Sequence, residues 1–206
     1  MSESDETDGP PLDGRSARRQ RNVDAVLDVV LEMFQEEAVT PTMEQVAARS
    51  GLSLRSLYRY FADPSEMFEA TVQRTLRRAL AVATIEKLGE GPFEARLATF
   101  VKSRLDLHEG YGAVQQATLV HALQLTAARD QVERTRMGLR EQFVRQFAPE
   151  LADREPHERE RITAAADVLT QLESIRYLRN HRGFSLPETR AVLLESVRAL
   201  LTHPSA

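Results

Sequence analysis

Apolar residues in this chain recur at intervals of three and four, and no stretch alternates at intervals of two for long enough to form a strand. In "VDAVLDVVLEMFQEE", Val23, Val26, Leu27, Val30, Leu31 and Phe34 fall on one helical stripe, which predicts an amphipathic helix over about Val23 to Glu37. The same spacing continues to the C-terminus and limits the chain to an all-α fold. Asp63-Pro64-Ser65-Glu66 reads as a helix start, with a cap, proline at the first position and an acid at the third. The helix it opens carries Met67, Phe68, Val72, Leu76 and Leu80 on one stripe. Further helices are expected at about 93–109, 113–127, 129–147, 156–181 and 187–202, separated at Gly89 to Pro92, Gly110 to Gly112, Pro149, Pro156, Gly183 and Pro187.

Two short elements precede the long helix. Thr42 stands as an N-cap with Gln45 three residues on, a capping box, and that helix ends near Ser50 with Gly51 supplying the turn. Ser53 caps a second helix that ends near Phe61. A short helix, a tight turn and a second short helix make a helix-turn-helix pattern. In the second helix Leu57 and Phe61, one turn apart, must face the core, and Tyr58 mostly does. Leu54, Arg55, Ser56, Arg59 and Tyr60 remain for the outside, with no acid between Ser53 and Phe61.

A helix of this size fits the major groove, where its N-terminal residues meet base edges. Arg55 could fork onto a guanine and Leu54 could touch a thymine methyl. Ser56, Arg59 and Tyr60 are placed for bases or phosphates. The helix start at Thr42 offers N–H groups and a hydroxyl to a phosphate. Upstream, "RSARRQR" brings Arg15, Arg18, Arg19 and Arg21 without an acid, a basic arm for phosphates or a minor groove.

Charge distribution decides whether such a surface is plausible at a net charge of −4. Of the 31 acidic residues, five lie in 1–14, which leaves 26 against all 27 bases. Residues 1–14 read as a disordered acidic tail, and any nucleic-acid surface must be a local patch on a nearly neutral body. There is no cysteine, which excludes disulfides and thiolate metal sites, and the five histidines have no metal-ligand spacing. The N-terminus has no cationic start and no apolar run, and no segment approaches the ~20 apolar residues of a membrane span. A cytoplasmic protein without membrane attachment is expected. G-x-S-x-G, the P-loop, G-x-G-x-x-G and H-E-x-x-H are all missing, so neither an enzyme nor a cofactor is expected.

The run "TMEQVAARSGLSLRSLYRYFADPSEMF" resembles the helix-turn-helix signature of the TetR family of bacterial regulators. The resemblance rests on Thr42, Val46-Ala47, Ser50-Gly51-Leu52-Ser53, Leu57, Tyr58 and Phe61 and extends over about Val23 to Phe68. It implies an N-terminal three-helix DNA-binding domain at 15–69 joined to a C-terminal ligand-binding and dimerisation bundle at 70–206. It further implies a homodimer on a palindromic operator, released by a small-molecule effector. The reading taken is a repressor; an activator would carry the same residues. On this likeness the DNA-binding set is Arg19, Thr42, Ser53, Leu54, Arg55, Ser56, Tyr58, Arg59 and Tyr60. Pro64 stands where the family usually has a phosphate-contacting lysine, Arg55 where glycine is frequent, and Tyr60 where histidine is frequent. A helical dimeric interaction protein of the same fold, with weak or lost DNA binding, is the competing expectation.

Past residue 70 the sequence is less specific. The stripes Ile162, Ala165, Ala166, Leu169, Leu172 and Ile175, then Val192, Leu193, Val197 and Leu200, are core by periodicity, and the resemblance implies that these last two helices pair with their twofold mates. Polar residues on otherwise apolar faces are candidates for an effector pocket: Arg104, His108, Tyr111, His121, Gln124, Arg176 and Tyr177, with Phe100, Leu119, Leu123 and Leu172 as apolar lining.

Overall fold

The computed structural model describes residues 14–37, 41–123 and 126–203, and every element among them is helical. The acidic segment 1–13 and Gln124 lie outside the described residues. The helices are α1 Gly14–Glu37, α2 Met43–Ser50, α3 Leu54–Tyr60, α4 Pro64–Val82, α5 Phe93–Ala122, α6 Thr126–Gln146, α7 Ala148–Ala152, α8 Pro156–Thr170, α9 Leu172–Arg176 and α10 Leu186–Thr202, with a π-helical turn over Tyr177–His181 after α9. Two compact units divide between Thr71 and Val72, inside α4.

In the N-terminal unit the stripe of α1 supplies Val26, Leu27, Val30 and Phe34 to a core completed by Met43, Val46, Leu57, Phe61, Met67 and Phe68. Phe34 and Phe68 meet edge to face at 5.6 Å. Each such side chain contributes roughly 1.5–3 kcal/mol when fully buried. That anchorage is what lets helices as short as α2 and α3 persist. The arginine run belongs to the opening turns of α1, not to an arm preceding it. α4 opens as expected: the Glu66 N–H donates to Asp63 Oδ1 at 2.9 Å and the Ala62 N–H donates back to Glu66 Oε2 at 2.5 Å.

The C-terminal unit is built around an aromatic cluster. Phe100 packs against Phe143 at 5.6 Å and Phe147 at 5.2 Å, and Leu97, Val101, Ile162, Ala166, Ile175, Leu193 and Val197 close around them. Arg96 fastens its rim, donating to the carbonyls of Gly91 (3.1 Å) and Gln146 (2.7 Å) and to both oxygens of Glu150. Gln146 returns a bond to the Arg96 carbonyl at 2.8 Å and accepts from the Gly89 N–H at 3.0 Å.

Three expectations fail here. The chain does not break at Gly110–Gly112; α5 runs through it. A Cβ on Gly110 would stand 3.2 Å from Cβ of Ala79, and one on Gly112 would stand 3.3 Å from the His108 ring. These glycines permit close approach instead of a turn. Conversely, the single helix expected over 156–181 is interrupted at Gln171, which is extended (φ −67°, ψ 154°). Thr170 Oγ1 bonds back to the Ala166 carbonyl at 2.7 Å, and Ser174 Oγ caps the Val168 carbonyl at 2.5 Å, so side chains take over acceptors as α8 ends. Finally, Leu80 leaves the buried stripe of α4 and is exposed.

Candidate nucleic-acid interface

α2 and α3 are set by their caps. Thr42 Oγ1 accepts from the Gln45 N–H at 3.3 Å, and the Thr42 N–H donates to Gln45 Oε1 at 2.8 Å. Gly51 is left-handed (φ 70°), and its N–H closes α2 on the Ala47 carbonyl. Only a residue that tolerates positive φ turns the chain this tightly. Ser53 Oγ accepts from the Ser56 N–H at 3.2 Å and lies 2.9 Å from Ser56 Oγ. The capping box uses the N–H groups of Thr42 and Gln45. The Thr42 hydroxyl keeps its own proton to donate.

On α3, Leu57 and Phe61 are buried as expected. The two tyrosines exchange places relative to expectation. Tyr58, read as mostly core, is 49% exposed, and Tyr60, read as outward, is only 9% exposed. The reason is a partner on α1: Asn22 Nδ2 donates to the Tyr60 hydroxyl at 3.0 Å, and Arg59 donates to it at 3.3 Å. These bonds, Asn22's first, hold the phenol below its ordinary pKa. The guanidinium carbons of Arg19 and Arg59 lie 5.8 Å and 5.2 Å from the Tyr60 ring centre.

Arg55, Tyr58 and Arg59 are exposed and Leu54 and Ser56 partly so, which makes one face of α3 cationic and aromatic. Among the described residues Arg19, Arg55 and Arg59 form no ion pair with a carboxylate. Arg49 on α2 differs: both its terminal nitrogens bond Glu36 at 2.5 Å, and Glu32 is 3.8 Å away. A face of unpaired guanidiniums beside a solvent-facing phenol is suited to a polyanion with stacked or edge-presented bases.

The effector candidates scatter through the C-terminal unit. Phe100 is wholly buried in the aromatic cluster, so it is core and not free lining. Arg104 is 1% exposed, over the Phe100 ring at 4.3 Å, donating to Gln142 and to the Leu139 carbonyl at 2.7 Å. Burial lowers its pKa to about 9, against the opposing charge of Asp167, which leaves it cationic at neutral pH. Tyr111 and Leu172 meet at a cavity of about 10 Å³, lined also by Gln115, Arg136, Asp167 and Glu173. That is room for about one water. Burial raises the Tyr111 pKa, while a hydrogen bond with Thr118 opposes the rise. His108 is half-buried, and burial followed by the charges of Arg179 and Arg176 lowers its pKa. Burial also lowers that of half-buried His121. Leu123 and Tyr177 are exposed.

Sequence reasoning missed the polar residues that surround this small cavity. Glu173 accepts from Arg136 at 3.0 Å and from Gln115 at 3.2 Å, and Asp167 accepts from Arg140 at 3.1 Å. Arg136 and Arg140 sit one turn apart on α6, a spacing that signals a shared charged face but not its acidic partners on α8 and α9. No group of three or more His, Cys, Asp or Glu among the described residues could hold a metal ion. No helix among them is long and apolar enough to cross a membrane.

Residues 26–71 match the family model described as bacterial regulatory proteins, tetR family. The HTH-type transcriptional regulator BetI of Cronobacter sakazakii (strain ATCC BAA-894) is 31% identical over 113 residues, 53% of this chain and 54% of its own length. The protein of the same name from Escherichia coli O17:K52:H18 (strain UMN026 / ExPEC) is 31% identical over 113 residues, 53% of this chain and 56% of its own. The chain thus spans about half the length of the curated relatives it matches. Among solved structures, a tetR-family transcriptional regulator from Streptomyces coelicolor superposes with a TM-score of 0.66 at 18% identity, over 88% of this chain and 79% of that one. A TetR-like transcriptional regulator from Rhodococcus sp. RHA1 gives 0.60 at 21% identity, over 94% of this chain and 100% of that one. At these identities the structural likeness speaks to the fold.

Proposed function

Through its N-terminal domain the chain belongs to the TetR family of bacterial regulatory proteins, and from that premise we propose that it is a dimeric cytoplasmic repressor that binds a palindromic operator through α3 and leaves it when a small effector binds. The carrying observation is the face of α3: Arg55, Tyr58 and Arg59 point to solvent with no carboxylate paired to the arginines. Arg55 is the base-reading residue in this account, Tyr58 and Ser56 contact the backbone, and the Thr42 hydroxyl donates to a phosphate at the start of α2.

The dimer is inferred from α8 and α10. Leu169 and Val192 are only partly buried, Val168 is 66% exposed, and a groove of about 370 Å³ runs between Leu169, Tyr177, Leu178 and Val192. Partly exposed apolar side chains on neighbouring helices are a surface that a partner can cover. A twofold dimer matches the symmetry of a palindromic operator, whose half-sites lie ~34–36 Å apart. The effector is assigned to the space around Tyr111, Gln115, Arg136 and Glu173, which must widen to admit it.

The test is a footprint of the purified protein on DNA flanking its own coding region, repeated with Arg55→Ala. A protected twofold-symmetric site that Arg55→Ala abolishes, with sedimentation still dimeric, is the expected result. Equal protection by both proteins would remove α3 from the reading role.

A further inference from the structure

We propose that Glu173 stands in, within its own chain, for the carboxylate of the effector, and that the effector is a small organic carboxylate that takes Gln115 and Arg136 from it. The inference rests on the effector reading above and gives that effector a chemical class.

The site is a carboxylate cradle that the chain itself fills. Gln115 Nε2 of α5 donates to one oxygen of Glu173 at 3.2 Å, and Arg136 Nη2 of α6 donates to the other at 3.0 Å. Two helices thus aim donors at a carboxylate that belongs to a third. Arg136 Nη1 meets exposed Glu133 at 3.3 Å, and among the described residues its Nε is buried without a partner. A buried N–H left unpaired is costly, and a ligand oxygen seated beside it would relieve that cost. The other carboxylate of the cavity, Asp167, is held by Arg140 at 3.1 Å and attracts the buried charge of Arg104, so it does not compete for Arg136. Tyr111, Val132, Leu139 and Leu172 supply the apolar walls that an organic ligand needs.

Glu173 is also placed to leave. The side chains of Arg136 and Glu173 are 37% and 27% exposed, so water screens the pair and it contributes little to stability. Exchanging one carboxylate for another on the same donors nearly balances, which leaves apolar contact to drive binding. Glu173 sits on α9, a helix of five residues with a break at each end: extended Gln171 before it and the π-helical turn after it. A segment so bounded can shift without opening a long helix. Glu173 lines the outer groove with Leu169, Tyr177 and Val192 as well as the inner cavity, so a displaced carboxylate has an open side to turn to. The inner cavity, at about 10 Å³, admits a ligand only as Glu173 withdraws.

The experiment measures the binding of acetate, which carries the atoms deleted in Glu173→Ala, to the full-length protein by saturation-transfer NMR at constant ionic strength, with acetamide as the uncharged control. The wild-type chain must first withdraw its own carboxylate, so acetate should bind Glu173→Ala at least about ten-fold more tightly than wild type. Glu173→Gln keeps the size of the side chain and loses only its charge, and its affinity for acetate should fall between the two. Adding Arg136→Ala to Glu173→Ala should abolish the gain, and acetamide should not distinguish any of these proteins. Equal affinity of acetate for wild type and both Glu173 variants would overturn the proposal. Acetamide binding to Glu173→Ala as tightly as acetate would overturn it as well, since a mere cavity behaves that way. Acetate that fills Glu173→Ala and leaves its affinity for operator DNA unchanged would overturn the effector reading and not the carboxylate site, which separates the two outcomes.

Discussion

The two units use arginine in opposite ways. In the C-terminal unit arginines are fastened: Arg96 to Glu150 and two carbonyls, Arg136 to Glu173, Arg140 to Asp167, and Arg154 to Glu158 and the carbonyls of Leu201 and His203. In the N-terminal unit Arg19, Arg55 and Arg59 meet no carboxylate among the described residues, and two of them rest on an aromatic ring. Arg49 is the exception, fastened to Glu36 of α1, and so serves the junction of α1 and α2. Composition alone points the other way, with 14 acids and 7 bases in residues 1–71 against 17 acids and 20 bases in residues 72–206. Pairing separates them, and it leaves a chain of net charge −4 with an exposed cationic face on α3.

The sharpest way to break the comparison is to remove a fastened arginine. Arg96→Ala orphans Glu150 and the Gln146 carbonyl in a buried rim and should destabilise the C-terminal unit by about 3–5 kcal/mol, read as a lowered urea midpoint. A midpoint shift as small as that of a surface change would mean that Arg96 is not structural. Removing a displayed arginine should do the reverse. Arg55→Ala should leave the urea midpoint within about 0.5 kcal/mol of wild type. It should nonetheless cost about 1–3 kcal/mol of discrimination between the cognate site and the same site with its contacted base pair changed.

The smallest expected effect is a pH dependence. His108 is held below its ordinary pKa in the fold, by burial first and then by Arg179 and Arg176. Below the unfolded value of about 6.5 the unfolded chain takes up the proton more readily, so stability falls as pH drops through that value. His108→Asn should flatten this slope between about pH 6.5 and 5 and leave stability at pH 8 nearly unchanged. Thermal melts across that range provide the check. An unchanged slope would show that the histidine titrates alike in both states.

The parts of the fold legible in the sequence are those fixed by neighbours in the chain. The Thr42–Gln45 box, Gly51, the Ser53 cap and the Asp63–Glu66 start all act within a turn, and all four form. Positions decided by a distant partner were not legible. Tyr58 and Tyr60 flank the Leu57–Phe61 stripe on either side, and periodicity alone cannot choose which of them turns in. Asn22, 38 residues upstream of Tyr60, makes the choice. Gly110 reads as a turn residue until Ala79 is known to lie against it. The polar lining at Glu173 stayed hidden for the same reason, because its donors Gln115 and Arg136 come from two other helices.

α3 has only seven residues, and an isolated helix of fewer than ~12–15 residues is marginal in water. Its survival therefore depends on the side chains that tie it down, Leu57 into the core and Tyr60 to α1. Its amide hydrogens should exchange with solvent in step with those of α1, in a single cooperative opening, and not by private fraying. The cationic face of α3 then exists whole or not at all, so under the proposed function a partly melted head would not linger on the chromosome as a weak, promiscuous binder.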